Sequence, residues 1–381
     1  MRCTCKRKNR RHRLPRTTAP KRLQRTADPT TLSAPASTTR PLKPFQATPI
    51  GILGAGSWGT ALALLAARCQ RPVLLWSNES GHAKMMAQTR ANEAYLPGIS
   101  LPENIAPVEH LATVIDQTHE LVLAIPSHAF RSVLKDLKPR LASTQTKASL
   151  CWGTKGFEPD SALLLSDVFE QVMGEDAFPA VVSGPSFAGE VARGLPTALT
   201  VAAIDSDHAA RIATWFRDGR TRVYTSTDIR GVQLGGAIKN VMAIAAGISD
   251  GLGFGANARA ALITRGLAEM SRLGEALGGQ ADTFMGLTGM GDLILTCTDD
   301  QSRNRRVGLA VGQGQNITQA LQAIGQEAEG VNTARELHRK SGELKVEMPI
   351  SEQVYRVLFD GLDPAQAVTA LLSREPRAEH N

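Results

Sequence analysis

One lysine is a candidate acid or base, because it interrupts a segment that is apolar on nearly every face. Lys239 lies within residues 231–248, whose Gly, Ala, Val and Ile content predicts a buried helix. Lysines are almost never fully buried without a partner, so this side chain either reaches a nearby surface or faces a cleft. In a cleft, partial burial or a neighbouring cation lowers the pKa of a lysine, and such a group exchanges protons near neutral pH.

Three further polar side chains follow apolar, strand-like segments. Lys155 comes just after residues 148–152, and His128 and Ser186 each follow another such segment. Ligand sites of open α/β sheets lie at the carboxyl ends of strands, so each of these residues could meet a ligand. Each also has a structural interpretation: Lys155 as a loop lysine, His128 as a packing residue and Ser186 as a helix N-cap.

A cluster of arginines marks the predicted start of another helix. Asp300 or Ser302 has the residue type of a helix N-cap. The first turn then holds three cations: Arg303, Arg305 and Arg306. The helix dipole disfavours cations at this end, so a bound anion would explain the cluster, and Ser, Arg and Asn side chains at a helix start are good phosphate ligands. The alternative is a solvated basic turn that faces acidic neighbours.

A glycine motif supplies a second anion site. Gly54, Gly56 and Gly59 form a GxGxxG pattern between the apolar run 50–53 and the alanine- and leucine-rich segment 61–68. This strand–turn–helix context is typical of dinucleotide binding. The first glycine permits a tight turn, the second lets the backbone approach a pyrophosphate, and the third lets helix pack on strand. The free N–H groups at the start of the helix then face the phosphates.

The choice of dinucleotide stays open at this level. The predicted strand 73–76 is followed by Ser77, Asn78 and Glu79. An NAD site usually has Asp or Glu directly at the end of this strand, whereas an NADP site has a nearby arginine. Glu79 comes slightly late and no arginine is present there, so we expect either NAD(H) or NADP(H) as cofactor.

The elements that position these residues follow two patterns. Up to residue 229, strand-like runs alternate with helical segments, which indicates a parallel sheet with helices on both faces. The predicted strands are 50–53, 73–76, 121–125, 148–152, 180–183, 199–203 and 222–224, and the helical segments are about 58–69, 127–140 and 161–173. Beyond residue 229 the chain predicts only helices, at 231–248, 257–277, 303–312, 316–324, 331–339, 349–360 and 364–373.

The fold class is therefore α/β, with an N-terminal Rossmann-type doubly wound sheet followed by an all-α C-terminal substrate domain. We place the dinucleotide-binding domain at residues 48–229 and the helical substrate and catalytic domain at 230–376. Residues 1–47 are expected to be a disordered basic tail, and residues 377–381 a short C-terminal tail.

Composition favours a reduced, water-soluble environment for this chain. Hydrophobic residues make up 42% of the 381 residues, as in ordinary globular proteins, and no stretch approaches the roughly 20 apolar residues of a membrane span. The five cysteines are few, odd in number and without metal-ligand spacing to histidines. We expect free thiols rather than disulfides, and no metal site.

The net charge of +7 is a property of the tail. Residues 1–45 hold 13 of the 43 basic residues and one of the 36 acidic ones, which leaves the rest of the chain with a net charge of −5. Nucleic-acid binding therefore does not follow from the overall charge. The tail itself has three interpretations: an extension without function, an organelle targeting peptide without the usual amphipathic face, or a nucleic-acid-binding arm.

Six motifs in order resemble those of bacterial NAD(P)-dependent glycerol-3-phosphate dehydrogenases. The resemblance spans about residues 48–375. The motifs are GAGSWGT at 54–60, GTKG at 153–156, SGPSFA at 183–188, GGAIKN at 235–240, GLGFGANAR at 251–259 and TCTDDQSRNRR at 296–306.

This resemblance implies the reversible reduction of dihydroxyacetone phosphate to sn-glycerol 3-phosphate. It further implies a cytoplasmic enzyme of glycerophospholipid synthesis with a small-molecule substrate. Such an enzyme has no nucleic-acid or membrane partner, and its candidate assembly is a homodimer. Lys239 is then the catalytic proton acceptor of the oxidation direction. The implied substrate-binding residues are Lys155, Gly184, Ser186, Lys239, Asp292, Ser302, Arg303 and Asn304. The implied cofactor-binding residues are Gly54, Gly56, Ser57, Trp58, Gly59, Asn78, Lys155, Ala188, Arg303, Glu327 and Glu329.

Two positions depart from the pattern of this family, and two other functions compete with it. Asn78 stands where the family often has a basic residue or histidine, and Glu327 where it often has an apolar one; both leave the cofactor preference open. A β-hydroxyacid or 6-phosphogluconate dehydrogenase has a similar arrangement of domains. A redox sensor that binds NAD(H) and holds DNA with its basic arm is the alternative outside enzymes, although it has no need of an acid–base lysine.

Deletion of residues 1–46 tests the interpretation of the tail. Because its composition cannot support a packed core, we expect the truncated protein to retain its melting temperature and its enzymatic rate. Thermal unfolding and steady-state kinetics of both chains are the measurements, and a large loss of soluble, active protein would contradict the prediction.

Overall fold

The computed structural model describes residues 48–142 and 146–375. The two predicted tails, residues 1–47 and 377–381, lie outside the described residues. The predicted disorder of residues 1–47 is therefore not tested. The three described cysteines, Cys69, Cys151 and Cys297, are free thiols.

The first half of the described chain is built on one eight-stranded sheet. Its strand order is β3-β2-β1-β4-β5-β6-β7-β8. The strands are β1 Ile50–Leu53, β2 Val73–Trp76, β3 Ile105–Val108, β4 Glu120–Leu123, β5 Ala148–Trp152, β6 Ala177–Ser183, β7 Thr197–Ala203 and β8 Thr221–Ser226. The helices between them are α1 Ser57–Arg68, α2 His82–Thr89, α3 Leu111–Ile115, α4 Phe130–Leu141, α5 Leu165–Val172, α6 Ala188–Ala192 and α7 Ser206–Ala213. The order reverses at β1, so β1 and β4 flank the crevice in which such sheets bind ligands.

The sheet confirms the predicted class and differs from the prediction in three strands: β3 was missed, and β7 and β8 run opposite to the other six. The edge strand β3 was not predicted, because it has only four residues and contains Pro107, and proline in a sheet is confined to edges and bulges. All pairings are parallel except that of β6 with β7, where Ser183 lies opposite Thr200. The hydrophobic pattern of a strand has the same period in either direction, so it cannot reveal this reversal.

Several helices also depart from the predicted segments. The segment 161–173 becomes helical only at Leu165, since Ala162 has a left-handed φ of +51°. The short helices α2, α3 and α7 were not predicted, because each has at most eight residues and short amphipathic stretches give weak periodic signals. The helix predicted to begin near Ser186 is present as α6.

The second half of the described chain is helical, as predicted. Its helices are α8 Ile229–Gly251, α9 Ala256–Ala276, α10 Ala281–Phe284, α11 Asp292–Thr298, α12 Arg303–Gly312, α13 Ile317–Ile324, α14 Glu329–Leu344, α15 Pro349–Phe359 and α16 Pro364–Leu372. A π-helical turn, Leu287–Gly291, leads into α11. Neither this turn nor α10 and α11 was predicted.

The long helix α8 is the core of the helical half. Residues 231–249 of this helix are all buried, with α9, α11, α12 and α14 packed around it. Within residues 48–142 and 146–375, it is the one helix long and apolar enough to cross a membrane, and its apolar window is entirely buried in the protein. This revises the expectation that no segment has the dimensions of a span, and the packing accounts for the apolar surface.

Glycines let α8 and α12 approach at backbone distance. A Cβ added to Gly308 would overlap the carbonyl oxygen of Ile244, and one added to Gly247 would lie 2.7 Å from the amide nitrogen of Leu309. These obstacles are backbone atoms, which cannot rotate away. The close approach places the start of α12, with its arginines, beside the helix that carries Lys239.

Substitution of Gly308 by alanine tests this packing. We expect Gly308→Ala to lower the free energy of unfolding by about 1–3 kcal/mol, because overpacking forces the two backbones apart. The matched control is Gly342→Ala in α14, where a Cβ would meet nothing within 4 Å; there, alanine should stabilise the helix by up to about 1 kcal/mol. Urea unfolding measures both, and equal effects of the two substitutions would contradict the prediction.

Candidate active site

Three predicted site residues meet in one buried ion cluster. The Lys239 Nζ donates to Asp292 Oδ1 at 2.6 Å, and the Lys155 Nζ donates to Asp292 Oδ2 at 2.9 Å. The Asp292 residue is fully buried and Lys239 is only 6% exposed. The interpretation of Lys239 as a lysine that reaches the surface is therefore wrong: its ammonium group lies inside the protein, with a carboxylate as partner.

Each member of the cluster is delivered by a different element. Lys239 lies in the middle of α8, Asp292 is the first residue of α11, and Lys155 follows β5. The close approach of Gly235 to the π-helical turn, where a Cβ would lie 2.9 Å from the carbonyl carbon of Thr288, brings α8 against the start of α11. A carboxylate in the first turn also interacts favourably with the dipole of that helix.

The cluster shifts the pKa of two of its members. Burial lowers the pKa of Lys239 to about 8, Asp292 opposes that effect, and the positive charge of Lys155 adds to it. Burial alone would raise the pKa of Asp292, but the two ammonium groups hold it below its usual range. Lys239 can thus exchange a proton near neutral pH, while one carboxylate shared by two cations leaves an excess of positive charge for an incoming anion.

A residue that was not predicted completes the environment of Lys239. The Thr296 hydroxyl accepts a hydrogen bond from Lys239 Nζ at 2.9 Å and donates to the Asp292 carbonyl oxygen at 2.6 Å. The spacing of four residues between Asp292 and Thr296 on one helix was the available signal. It could only be used once α11 was known to exist.

The glycine turn has the geometry that a pyrophosphate site requires. Gly54 has a φ of +112°, which favours glycine, and a Cβ on Gly59 would overlap the Gly54 carbonyl oxygen. A Cβ on Gly56, in contrast, would meet nothing within 4 Å. The start of α1 has no side-chain cap, so its N–H groups are available to an anion. Gly54 and Gly59 thus have the backbone geometry that their positions in the motif predict, and Gly56 borders open space, so the turn fits a dinucleotide.

The residues that follow β2 divide into buried and exposed ones. Ser77 is buried and bonded to His82 at 2.9 Å, whereas Asn78 and Glu79 are exposed. Glu79 also accepts a hydrogen bond from the Tyr95 hydroxyl. Ser77 and Glu79 thus use their side chains in these hydrogen bonds, and Asn78 is the residue of this turn whose side chain takes part in neither of them.

Two polar atoms beside the crevice add to the fit of a cofactor. Among the described residues, Trp58 Nε1 and Ser183 Oγ are buried without a hydrogen-bond partner. A Cβ on Gly236 would lie 3.0 Å from Ser183 Oγ and 3.6 Å from the Lys155 side chain, so Ser183 borders the ion cluster. Buried polar atoms of this kind call for a partner, which a bound ligand can supply.

The arginine cluster separates into residues with different tasks. Ser302 is the N-cap of α12, as predicted, and its hydroxyl accepts from the Arg305 amide at 3.2 Å. The Arg305 guanidinium is buried and pairs with Asp250 at 2.5 Å and with Asp300. The alternative interpretation of the cluster, a solvated basic turn that faces acidic neighbours, is therefore correct for Arg305 as to the acidic neighbours and wrong as to the exposure to solvent. Arg303 is half-buried and donates a long hydrogen bond of 3.3 Å to Gln326. Within residues 48–142 and 146–375, no carboxylate is in hydrogen-bond contact with the Arg303 guanidinium.

The loop and helix start around residue 329 face the ion cluster. The Asn304 Oδ1 accepts from the amide of Gly330 at 3.0 Å and thereby anchors α14. Burial raises the pKa of Glu329 to about 7, against the attraction of Arg303 and with a contribution from Glu327. Lys155 and Lys239 also act on this carboxyl group, so the start of α14 belongs to the same electrostatic site.

The segment after β6 has a different local structure from the one predicted. The N-cap of α6 is Phe187, not Ser186, and the Ser186 hydroxyl donates to the Gly184 carbonyl oxygen at 2.9 Å. The interpretation of Ser186 as the cap is therefore wrong. Gly184 has a φ of +136° and Ala188 is the first residue of α6, so the motif forms a tight turn between the sheet and the helix.

One predicted structural residue links the two halves of the described chain. His128 Nδ1 lies 3.6 Å from Glu327 Oε1, with both side chains partly exposed. His128 follows β4 and Glu327 precedes α14, so the pair crosses the crevice. Within the described parts of the chain, no group of three or more His, Cys, Asp and Glu side chains is arranged to hold a metal ion.

Comparison with known proteins gives one consistent result. Models of the NAD-dependent glycerol-3-phosphate dehydrogenase family match the chain twice, the N-terminus model at residues 49–209 and the C-terminus model at residues 228–369. The chain is 50% identical over 331 residues to glycerol-3-phosphate dehydrogenase (NAD(P)+) of Aeromonas hydrophila, covering 87% of this chain and 98% of the relative. It is 54% identical over 326 residues to the protein of the same name from Alkalilimnicola ehrlichii, covering 86% and 97%.

A solved structure agrees with these relatives. The crystal structure of glycerol-3-phosphate dehydrogenase from Coxiella burnetii is similar to this chain with a TM-score of 0.83 and 46% sequence identity. The similarity covers 86% of this chain and all of that one. The likeness therefore extends through both the sheet and the helical half.

Neutralising the shared carboxylate tests the energetics of the ion cluster. We expect Asp292→Asn to lower the free energy of unfolding by about 3–5 kcal/mol, because it leaves the buried ammonium group of Lys239 and the half-buried one of Lys155 without a counter-charge. Adding Lys239→Met should recover part of this loss, since one of the two uncompensated charges is then removed. Urea unfolding of the wild type, the single and the double variants is the measurement, and a double variant less stable than Asp292→Asn would contradict the prediction.

Proposed function

Because this chain belongs to the NAD-dependent glycerol-3-phosphate dehydrogenase family, we propose that it reversibly reduces dihydroxyacetone phosphate to sn-glycerol 3-phosphate with NADH or NADPH. One observation carries the proposal at the level of chemistry. Lys239 is buried, held by Asp292 at 2.6 Å and shifted to a pKa of about 8. It lies beside the carboxyl edge of a sheet whose first turn fits a dinucleotide.

Lys239 is the acid of the reduction and the base of the oxidation. The nicotinamide, when bound, supplies the hydride chemistry. Negative charge develops on the C2 oxygen of the substrate as its carbonyl is reduced, and the Lys239 ammonium provides the proton that neutralises it. In the reverse direction the neutral amine takes the proton of the C2 hydroxyl. A pKa near the working pH suits both directions.

Asp292 and Lys155 determine how the Lys239 ammonium group is oriented and how readily it loses its proton. Asp292 and Thr296 together occupy two of the three hydrogen-bond directions of the Lys239 Nζ, which leaves the third for the substrate oxygen. Lys155 lowers the pKa of Lys239 and is itself 15% exposed in its side chain. It can therefore contact both substrate and cofactor. Holding the reacting groups in one geometry supplies much of the rate acceleration.

The substrate phosphate is assigned to the start of α12. Arg303 offers a planar guanidinium, whose bidentate hydrogen bonds suit a phosphate, and no carboxylate of the described residues is in hydrogen-bond contact with it. Ser302 and Asn304 flank it on the same helix start, and their other bonds keep that start rigid. Gly184 and Ser186 complete the proposed substrate site from the sheet side.

The cofactor is assigned to the crevice of the sheet. The pyrophosphate lies on the turn formed by Gly54, Gly56 and Gly59, with Ser57 and Trp58 at the start of α1. Asn78 takes the ribose end. The remaining proposed contacts, which lie toward the helical half, are Lys155, Ala188, Arg303, Glu327 and Glu329.

The domain assignment and the cellular role follow the same reasoning. We place the dinucleotide-binding domain at residues 48–229 and the substrate domain at 230–376, since the last strand ends at Ser226 and α8 begins at Ile229. The enzyme supplies glycerol 3-phosphate for glycerophospholipid synthesis in the cytoplasm, acts on small molecules without a nucleic-acid or membrane partner, and assembles as a homodimer. Family membership supports these statements.

The decisive experiment is a substrate profile. NADH and NADPH oxidation is followed by near-ultraviolet absorbance with dihydroxyacetone phosphate, and the reverse reaction with β-hydroxyacids and 6-phosphogluconate. Turnover with dihydroxyacetone phosphate and with none of the other substrates supports the proposal. Preference for one of the other substrates, or salt-sensitive retention of DNA without turnover, would replace it by another dehydrogenase or by a redox sensor.

Replacement of Lys239 tests its assigned role. We expect Lys239→Met to keep NADH binding and to lower kcat by about 10²–10⁴-fold, the usual contribution of acid–base catalysis. The control is Lys340→Met on α14, where the lysine pairs with Glu343 at the surface of the protein, and which should turn over normally. In the wild type, the reduction rate should fall as the pH rises through about 8, because Lys239 loses the proton it must donate, and the oxidation rate should rise over the same range. Normal turnover by Lys239→Met would remove the residue from this role.

Replacement of Arg303 tests the phosphate assignment. We expect Arg303→Ala to cost about 2–4 kcal/mol in kcat/KM for dihydroxyacetone phosphate, as when one partner of a buried charge pair is lost, and Arg303→Lys to recover only part. The small rate with unphosphorylated dihydroxyacetone should not change. Arg306→Ala, at an exposed position of the same helix, is the matched control. Both substrates are compared at saturating cofactor, because Arg303 is also assigned to the cofactor. If Arg303→Ala then lowered the rates with both substrates equally, the phosphate assignment would be wrong.

A further inference from the structure

Four buried polar side chains form a continuous hydrogen-bonded relay beneath the glycine turn. They are Ser77, His82, Asn92 and Thr60, and each is at most 5% exposed. The Ser77 Oγ lies 2.9 Å from His82 Nδ1, and His82 Nε2 lies 3.0 Å from Asn92 Oδ1. The Asn92 amide then donates to Thr60 Oγ1 at 2.7 Å and to the Ala55 carbonyl oxygen at 2.8 Å.

The Ala55 carbonyl oxygen determines which atom donates in each hydrogen bond of the relay. A backbone carbonyl can only accept, so the NH₂ group of Asn92 must face Ala55 and its oxygen must face His82. The Nε2 of His82 therefore carries a hydrogen. With Nε2 as the donor, His82 Nδ1 can accept the hydroxyl hydrogen of Ser77 at 2.9 Å. Every buried polar group of the relay is thus satisfied in one consistent pattern, which makes its geometry well defined.

Asn92 sets the orientation of one peptide bond in the glycine turn. The peptide between Ala55 and Gly56 is planar and trans, so its C=O and N–H point in opposite directions. Because the carbonyl is drawn inward to Asn92, the amide hydrogen of Gly56 is directed away from the relay. On Gly56, a Cβ would meet nothing within 4 Å, so the residue borders open space.

The other end of the relay lies at the turn after β2. Ser77 directly follows β2, and its hydroxyl oxygen accepts from the amide of Glu79 at 3.3 Å. The intervening Asn78 is the exposed residue assigned to the ribose. The relay therefore connects the turn assigned to the ribose with the turn assigned to the pyrophosphate, through side chains that have no exposed face of their own.

The segment that contains Asn92 supports the turn at a second point. The Tyr95 carbonyl oxygen accepts from the Ser57 hydroxyl at 2.7 Å, and the Tyr95 hydroxyl donates to Glu79. Ser57 is the first residue of α1. The chain between α2 and β3 thus contacts both the phosphate turn and the ribose turn, although it belongs to neither.

We propose that Asn92 is a positioning residue for the nicotinamide cofactor: by holding the Ala55 carbonyl inward, it presents the Gly56 amide to the pyrophosphate. The inference rests on the proposed function in one respect, namely that the glycine turn binds this cofactor. Asn92 acts through the turn and makes no contact with the substrate site, so it should affect cofactor binding and leave the chemical step unchanged.

Asn104 provides a matched control, because its side chain contacts the C-terminal end of α1, whereas the glycine turn lies at the N-terminal end of this helix. Its amide donates to the carbonyl oxygens of Ala67 and Arg71, both at 3.0 Å. It therefore performs the same structural task as Asn92, the binding of backbone carbonyls by one side-chain amide, far from the glycine turn. A purely structural role of Asn92 would make the two residues equivalent.

The experiment compares Asn92→Leu with Asn104→Leu in the full-length chain. NADH binding is measured by fluorescence titration, and KM and kcat are determined with both cofactors and with dihydroxyacetone phosphate. We expect Asn92→Leu to raise the Kd for NADH and the KM for both cofactors by about 10- to 100-fold, the loss of a hydrogen bond to a charged group. The KM for dihydroxyacetone phosphate and kcat at saturating cofactor should stay within about twofold of the wild type. Asn104→Leu should lower the melting temperature without raising the Kd for NADH.

Asn92→Asp is the second variant. It keeps the size of the side chain and the acceptor that faces His82, but it turns an oxygen instead of an amide toward the Ala55 carbonyl. It should show the same selective loss of cofactor binding. Unchanged NADH binding in the Asn92 variants, or an equal weakening in Asn104→Leu, would overturn the proposal. Failure of both Asn92 variants to fold while Asn104→Leu folds would also overturn it, because it would show a role in stability alone. If the wild type itself did not bind NADH, the proposed function would fail first.

Discussion

The sharing of one buried carboxylate by two ammonium groups is the interaction on which the rest of this structure depends. Asp292 holds Lys239 at 2.6 Å and Lys155 at 2.9 Å in a region that excludes water. A single buried charge would be prohibitive, and even a buried pair is stabilised only by good geometry. The core helix α8, the π-helical turn and the loop after β5 must therefore meet with little freedom. The excess positive charge of this cluster is a cost to stability, and the charge of Lys155 adds to the lowering of the pKa of Lys239.

Backbone contacts through glycine are the means by which these elements meet. Gly235 admits the π-helical turn against α8, and Gly308 admits α8 against α12. Gly59 does the same for α1 and the turn that precedes it. In each case a methyl group would strike backbone atoms, which cannot move aside as side chains do. Lys239, Arg303 and the glycine turn thus owe their relative placement to the absence of side chains.

Much of the fold and of the site could be predicted from the chain alone, because both rest on local patterns. Strand and helix periodicity identified seven of the eight strands and the change to helices near residue 229. The glycine motif and the lone lysine on an apolar helix pointed to the two chemical centres. The edge strand β3 and the reversal of β7 and β8 were not predicted, since a short strand with proline has little signal and strand direction leaves no periodic trace. The partners of the arginines were equally hidden: Arg305 is paired with Asp250, 55 positions away, while Arg303 has no carboxylate in hydrogen-bond contact in the part of the chain that the structure describes.

By itself, the sequence determined which residue types were available and in what local setting: a glycine turn before a helix, a lysine within an apolar face, a serine cap before three arginines. These are properties of neighbours along the chain, governed by backbone conformation and by the period of each element. Only the tertiary structure decided which charges meet. Lys239 and Asp292 are 53 positions apart and Lys155 and Asp292 are 137 apart. Asn92 likewise reaches Ala55 from outside the motif. The pKa of a buried group depends on water excluded and charges gathered from all sides, and no segment of the chain contains that information.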